Sequence, residues 1–137
     1  MIQFLNIPSF IEEKRLVLLL NTAAENYRAT IDRLVYSFIS KESMVRLNLK
    51  FLKHNTNTDI ITFSYGTQTC ISGEVFISID QARENAIEYS QTIENELVRL
   101  VSHGFLHCLG FLDNIPSQKK KMSAEEDKMI NMFHVKH

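Results

Sequence analysis

Two histidines, His103 and His107, stand four positions apart in a stretch whose other residues are mostly apolar. On a helix this spacing places both imidazoles on one face, about one turn apart, where they can reach a single metal ion. Gly110 follows where helices commonly end, because glycine adopts the left-handed conformation without steric cost. The chain can then turn and bring Asp113 back toward the imidazoles. Two nitrogens and one carboxylate oxygen would leave a coordination position open for water or substrate, as in catalytic zinc sites.

The histidine pair alone would also fit two polar residues on a half-apolar helix. Gly110 and the carboxylate three residues later favour the metal site over that interpretation. Metzincin proteases use the same spacing, with a glutamate directly after the first histidine as general base. Here that residue is Gly104, so the group that activates water in a peptidase is missing. Neither a Ser-His-Asp nor a Cys-His arrangement is evident, and a peptidase is disfavoured.

Composition predicts a folded domain rather than a disordered chain. Of 137 residues 45% are hydrophobic, with only four Gly and two Pro, so the chain can bury a core. We expect one domain over residues 1–137, without a linker or repeat. The net charge of −1 means that a polyanionic partner would have to be bound by a local basic patch.

Cysteine usage and apolar runs predict the compartment. Cys70 and Cys108 lie far apart within apolar surroundings, which favours buried, reduced thiols over a disulfide and hence a reducing compartment. The N-terminus lacks a basic segment followed by a long apolar run, so no signal peptide is expected. The longest apolar run, 16–20, is too short to span a bilayer. These features predict a cytoplasmic protein without a membrane partner.

The hydrophobic pattern predicts an α+β fold. Strands are expected at 2–6, 34–39, 59–65 and 74–79, and helices at 10–28, 41–53, 80–90, 92–109 and 117–134. Ser40 is expected to cap the second helix. In the fourth helix an apolar stripe predicts the core-facing side, with His103 and His107 beside it at the edge of a cleft; the stripe comprises Ile93, Leu97, Leu100, Val101, Gly104 and Cys108.

Three sequence blocks, in one order along the chain, carry a resemblance to a known family. They are Leu47-Asn48 with 58–63 (T-D-I-I-T-F), 73–78 (G-E-V-F-I-S), and 103–113 preceded by Glu96-Leu97. The last block is similar to H-G-x-L-H-L-x-G-Y-x-H or -D, the signature of the YbeY family of ribosomal-RNA maturation endoribonucleases. The resemblance covers roughly residues 44–114. It implies a small mixed four-stranded sheet packed against a helix that carries the metal ligands, a zinc-type ion and single-stranded RNA as substrate.

Two positions depart from the family pattern. Asp113 stands where the family most often has a third histidine, and two His plus a carboxylate also suit iron, nickel or manganese besides zinc. Where the family has an arginine four residues after the asparagine of its first block, this chain has Leu52. We therefore expect Lys53 and His54 to supply RNA contacts, with Lys50 or the run 119–121 as the alternatives.

The resemblance and the ligand pattern together predict a metal-dependent endoribonuclease. It would act on single-stranded ribosomal RNA in small-subunit maturation and ribosome quality control, with one divalent metal, zinc by expectation, at His103, His107 and Asp113. Ribosomal RNA and the ribosome or small-subunit proteins are the expected partners, and DNA is not. A ribosome-associated binding factor with a structural metal and a metzincin-like metallohydrolase are the alternatives. The sequence identifies no general base, and either water or the RNA 2′-hydroxyl remains open as nucleophile.

Overall fold

The computed structural model describes residues 1–52 and 58–135. Within them the strands are β1 (Ile2–Leu5), β2 (Thr30–Ile39), β3 (Ile60–Ser64) and β4 (Cys70–Ser78). The helices are α1 (Glu13–Asn26), α2 (Lys41–Leu52), α3 (Ile79–Glu88), α4 (Ile93–Cys108) and α5 (Pro116–His134).

Each predicted strand and helix is present, and the main differences lie at the starts of β2 and β4. Both strands begin four residues earlier than predicted, and they pair with each other from Thr30 opposite Cys70 onward. The added residues of β2 include Asp32 and Arg33 and are mostly exposed, so they lack the apolar alternation that identifies a strand. The pairing with β4, rather than side-chain burial, makes them strand. Ser40 caps α2 as predicted, since its Oγ accepts a hydrogen bond from the Ser43 amide at 3.1 Å.

The sheet has the strand order β1-β2-β4-β3. β1 pairs with β2 and β2 pairs with β4 in parallel, whereas β3 pairs antiparallel with β4. A parallel pair needs a crossover connection, and α1 provides the one between β1 and β2. The expected α+β fold with a small mixed four-stranded sheet is confirmed.

Helices cover both faces of this sheet. On one face α4 packs against β3 and β4, and the buried hydroxyl of Tyr36 on β2 donates a hydrogen bond to the Val101 carbonyl at 2.7 Å. On the other face α2 meets a cluster of aromatic rings, in which Phe63 lies 5.5 Å from Phe51 and 6.1 Å from Phe76 between ring centroids. The predicted stripe of α4 is buried except for the half-buried Ile93. α4 is thereby fixed in rotation, which decides where its polar side chains point.

The two cysteines differ from the prediction in one respect. Both are free, and Cys108 is buried, but Cys70 at the start of β4 is exposed. The expectation of a buried thiol is wrong for Cys70, because this end of β4 pairs with the exposed start of β2. Among the described residues no helix combines the length and the apolar character that crossing a membrane requires.

Candidate metal centre

Three side chains converge at the C-terminal end of α4. The Nε2 atoms of His103 and His107 lie 2.9 Å apart, and each lies 3.3 Å from Oδ2 of Asp113. Ligands about 2.0–2.1 Å from a tetrahedral zinc ion are about 3.3 Å from one another. The spacing of these donor atoms therefore fits a single ion of that size, and the two nitrogens and one oxygen are donors that zinc accepts. Among the described residues, His103, His107 and Asp113 form the one group of three or more His, Cys, Asp or Glu side chains that could hold a metal ion.

The turn after α4 brings Asp113 to the histidines. The Gly110 amide donates to the His107 carbonyl at 2.9 Å and the Phe111 amide to the Leu106 carbonyl at 3.0 Å, the pair of bonds that defines a Schellman motif. Gly110 has a φ of +102°, and a Cβ there would approach Nε2 of Gln68 to 2.9 Å. Glycine is therefore required at this position, as the sequence predicted, and the chain reverses within three residues to place the carboxylate.

Hydrogen bonds to the far nitrogen orient both imidazoles. Nδ1 of His107 lies 2.9 Å from the Phe111 carbonyl oxygen, and Nδ1 of His103 lies 2.6 Å from Oε2 of Glu126. Each Nδ1 thus has an acceptor for a hydrogen, which would leave Nε2 of the neutral ring free to bind an ion, an arrangement common around protein-bound metals.

Glu126 was not identified from the sequence. It lies on α5, 23 positions beyond His103, and helical spacing relates only residues within one element. One signal was available, because Glu126 stands on the apolar face of α5 with the buried Met122, Met129 and Phe133. A carboxylate among buried apolar side chains needs a partner, and the sequence does not say which.

The electrostatics around His103 favour positive charge. Burial lowers the pKa of this imidazole, but the hydrogen bond and the charge of Glu126, aided by Asp113 and Asp59, outweigh burial and raise its pKa above the ordinary value. A divalent cation would experience the same favourable field as a proton does.

Two cavities meet at the three converging side chains. One of about 500 Å³ extends along β3 past Thr62 and Ser64. The other, of about 620 Å³, extends between α3, α4 and α5. Both are lined by Asp59, Ile60, His103 and Asp113. His103 and Asp113 are thus accessible from both cavities, and His107 from the smaller one.

A buried polar cluster lines the larger cavity. Nδ2 of Asn85 donates to Oδ2 of Asp59 at 2.9 Å and lies 3.3 Å from Oε2 of Glu96. Burial raises the pKa of the Glu96 carboxyl; the hydrogen bond from Asn85 opposes this shift and the charge of Asp59 adds to it. Glu96 and Asp59 belong to the sequence blocks described above, but Asn85 does not. Its contribution follows from the packing of α3 against α4.

Gly104 faces the sheet rather than the cleft. A Cβ at this position would lie 2.8 Å from Cγ1 and 3.0 Å from Cγ2 of Val75. The residue that follows the first histidine is therefore a packing position in this fold, and a glutamate there would be directed into β4. Lys53 and His54 lie outside the described residues. Of the alternative cations, Lys119 lines the larger cavity, and Nζ of Lys50 lies 5.3 Å from the Phe51 ring centroid.

Comparison with known proteins extends the likeness beyond the motifs. A family profile described as endoribonuclease YbeY matches residues 6–134. The endoribonuclease YbeY of Flavobacterium johnsoniae is 38% identical over 100 residues, which are 73% of this chain and 72% of the relative. That of Cytophaga hutchinsonii is 39% identical over 114 residues, 82% of this chain and 80% of the relative.

A solved structure shares the fold. The solution structure of a protein from Thermotoga maritima aligns with a TM-score of 0.73 and 24% identity, covering 97% of this chain and 89% of the other. The arrangement of sheet and helices is thus the one found in that protein. With a family profile that spans nearly the whole sequence and relatives above one-third identity, the chain belongs to the endoribonuclease YbeY family.

Proposed function

We propose that this protein is a metal-dependent endoribonuclease that cleaves single-stranded ribosomal RNA during small-subunit maturation and ribosome quality control. The observation that carries the proposal is the convergence of two Nε2 atoms and one carboxylate oxygen within 3.3 Å of one another, in a chain of an endoribonuclease family. The ribosomal substrate and the ribosome as partner are what the resemblance implies. We take residues 1–137 as one catalytic domain acting in the cytoplasm.

His103, His107 and Asp113 would hold the ion. A divalent metal at this position supplies Lewis acidity to a scissile phosphate, or acidifies bound water. The chain's own contribution is to orient the two imidazoles through Nδ1 and to admit substrate from both cavities. Zinc is the expected metal, and the same donor set accepts iron, nickel or manganese.

RNA contacts are proposed at Lys53 and His54. The near-neutral net charge provides no general attraction for a polyanion, so affinity must come from a few cations near the metal. Lys53→Ala should weaken binding of a short RNA strand equally for all sequences and flatten the salt slope by about one unit. An unchanged slope over several salt concentrations would exclude Lys53 and direct attention to Lys50 or Lys119.

Two other functions are weaker. A binding factor with a structural metal would require a fourth protein ligand to close the coordination shell, and the described residues supply three at this site. A metzincin-like hydrolase would require a glutamate at the position of Gly104, whose Cβ direction is blocked by Val75.

The decisive experiment combines elemental analysis with an RNA cleavage assay. The purified protein should contain about one equivalent of metal, cleave a single-stranded ribosomal RNA fragment, lose activity with a chelator, and regain it with added metal. The same assays on Ala variants of the three converging residues need a matched control, and His134→Ala provides it. This histidine bonds Asn95 at 2.6 Å and is not one of the three converging side chains. Cleavage that persists without metal would contradict the mechanism, and metal without any cleavage would favour the binding factor.

A further inference from the structure

Glu126 is almost fully buried and uses both carboxylate oxygens. The residue is 5% exposed. Its Oε2 lies 2.6 Å from Nδ1 of His103, and its Oε1 accepts a hydrogen bond from Nη1 of Arg99 at 2.9 Å. Glu126 therefore contacts Nδ1 of the His103 ring, whereas Asp113 contacts Nε2. Glu126 is thus not one of the converging donors.

Arg99 holds this carboxylate in place. Removing a carboxylate from water is costly unless a charged partner and hydrogen bonds replace the solvent. Arg99 supplies both, and its second nitrogen is fixed by Oδ1 of Asp127 at 2.8 Å. Asp127, Arg99 and Glu126 thus form a chain of hydrogen bonds that ends at His103. The donor in each of these bonds is fixed, because a guanidinium only donates and a carboxylate only accepts.

These hydrogen-bonding roles leave His103 one arrangement. Since Oε2 of the Glu126 carboxylate accepts from His103, Nδ1 of His103 must carry a proton, and in the neutral ring Nε2 then presents its lone pair to the site. His107 reaches the same tautomer by a different route, because its Nδ1 bonds a backbone carbonyl that no substitution removes. Of the two histidines, only His103 depends on a side chain of another helix.

We propose that Glu126, held by Arg99, is a positioning residue that fixes His103 in the Nδ1-protonated tautomer and thereby sets the metal affinity of the site. The inference rests on the proposed metal centre, but it does not depend on RNA cleavage. Nothing in the local sequence of the ligand segment indicates it.

Glu126→Gln is the most informative variant because a carboxamide has one acceptor oxygen instead of two. Arg99 can only donate, so the remaining oxygen should face Arg99 and the amide nitrogen should face His103. Nδ1 of His103 would then have to accept, and the proton would move to Nε2, where it blocks coordination. Metal affinity should fall about 10- to 100-fold, the usual effect of losing such an outer partner. Asp127→Asn is the matched control, because this exposed residue touches Arg99 but not His103.

Two measurements on the full chain test the proposal. The first is Zn²⁺ affinity by competition with a chromophoric chelator, alongside thermal unfolding of the metal-free proteins. We expect the Zn²⁺ affinity of Glu126→Gln to fall by about 10- to 100-fold. The affinity of Asp127→Asn should stay within about twofold of wild type, and both variants should be folded. Affinity of a folded Glu126→Gln within about threefold of wild type would overturn the proposal, since a positioning partner should cost at least tenfold.

The second measurement is the imidazole ¹⁵N spectrum of metal-free protein at a pH where the ring is neutral. It should show His103 protonated at Nδ1 in the wild type and at Nε2 in Glu126→Gln, with His107 unchanged as internal reference. The wild-type spectrum tests the proposal even if Glu126→Gln does not fold. A neutral His103 that is protonated at Nε2 in the wild-type protein would overturn the proposal. If the wild type binds no zinc, the proposed function fails, while the spectrum still tests the role of Glu126 separately.

Discussion

The two faces of α4 differ in what they contact. One face carries polar side chains toward the cavities, namely Glu96, Arg99, His103 and His107. The other packs on the sheet with buried residues, namely Leu97, Val101, Gly104 and Cys108. His103 and Gly104 are neighbours in sequence, yet the imidazole borders both cavities while a Cβ on Gly104 would meet Val75 at 2.8 Å. A step of one residue turns a helix by about 100°, which is enough to separate chemistry from packing.

This separation shows why the glutamate of metzincin proteases has no place here. The same histidine spacing occurs in both, but in this fold the position after the first histidine packs directly on Val75 of β4. On the polar face, substitution of the partly exposed His107 should therefore change metal binding with little effect on folding, whereas substitution of Arg99 or His103 would also unpair the buried Glu126. Substitutions on the packing face should lower stability first.

The largest effect is expected from the three converging side chains. Replacing His103, His107 or Asp113 by Ala removes a donor, and the Zn²⁺ affinity should fall more than about 100-fold, beyond the loss of an outer partner. Unfolding of the metal-free protein should change little for His107→Ala and Asp113→Ala, because these side chains are partly exposed. His103→Ala should also lower stability, because it leaves the buried Glu126 without one of its partners. Metal content by elemental analysis is the measurement. Stoichiometric metal in the triple variant would remove the site assignment.

Gly104→Glu should have the next largest effect, now on stability. A carboxylate directed at Val75 would be overpacked and buried without a partner, and unfolding should become easier by about 3 kcal/mol or more. No peptidase activity should appear. Chemical denaturation compared with Gly104→Gln, which has nearly the same bulk without the charge, separates bulk from charge. A fully stable Gly104→Glu protein would show that this position faces the cleft after all.

Tyr36→Phe tests the packing face with a single atom. The buried hydroxyl donates to the Val101 carbonyl at 2.7 Å, and its loss should cost about 1 kcal/mol of unfolding free energy. Zn²⁺ affinity should remain at the wild-type value. A marked loss of Zn²⁺ affinity would mean that the packing face of α4 influences the metal site on its polar face, and the two faces would then not be independent.

The smallest effect is expected at Glu96, and it depends on pH. Because burial raises the pKa of this carboxyl in the folded state, its contribution to stability is present below the unfolded pKa and is lost as pH rises through the folded pKa. Glu96→Gln cannot ionise but still offers Asn85 an acceptor. Its melting temperature relative to wild type should therefore increase as the pH rises above about 4, the ordinary pKa of a glutamate, because the wild-type carboxyl with its raised pKa loses its proton above that value. A difference that is constant, or that falls with pH, contradicts the assignment.

Prediction from sequence worked best where the relevant contacts are local. The spacing of His103, His107, Gly110 and Asp113 lies within one helix and its terminal turn, where geometry follows from 3.6 residues per turn and the conformational freedom of glycine. The same reasoning identified the core stripe of α4. It gave late starts for β2 and β4: the first residues of β2 are mostly exposed and are strand through their pairing with β4, and the first four residues of β4 include only one large apolar residue, Ile71.

The sequence by itself therefore determined which three side chains converge, the α+β class and the family resemblance. The RNA contacts at Lys53 and His54 stay predictions. Only the tertiary structure decided that Glu126 orients His103, that Asn85 joins Asp59 to Glu96, and that Gly104 faces Val75. Each of these contacts links elements distant in sequence. Their partners are chosen by how the helices rotate and pack on the sheet, and helical periodicity within one segment carries no information about that choice.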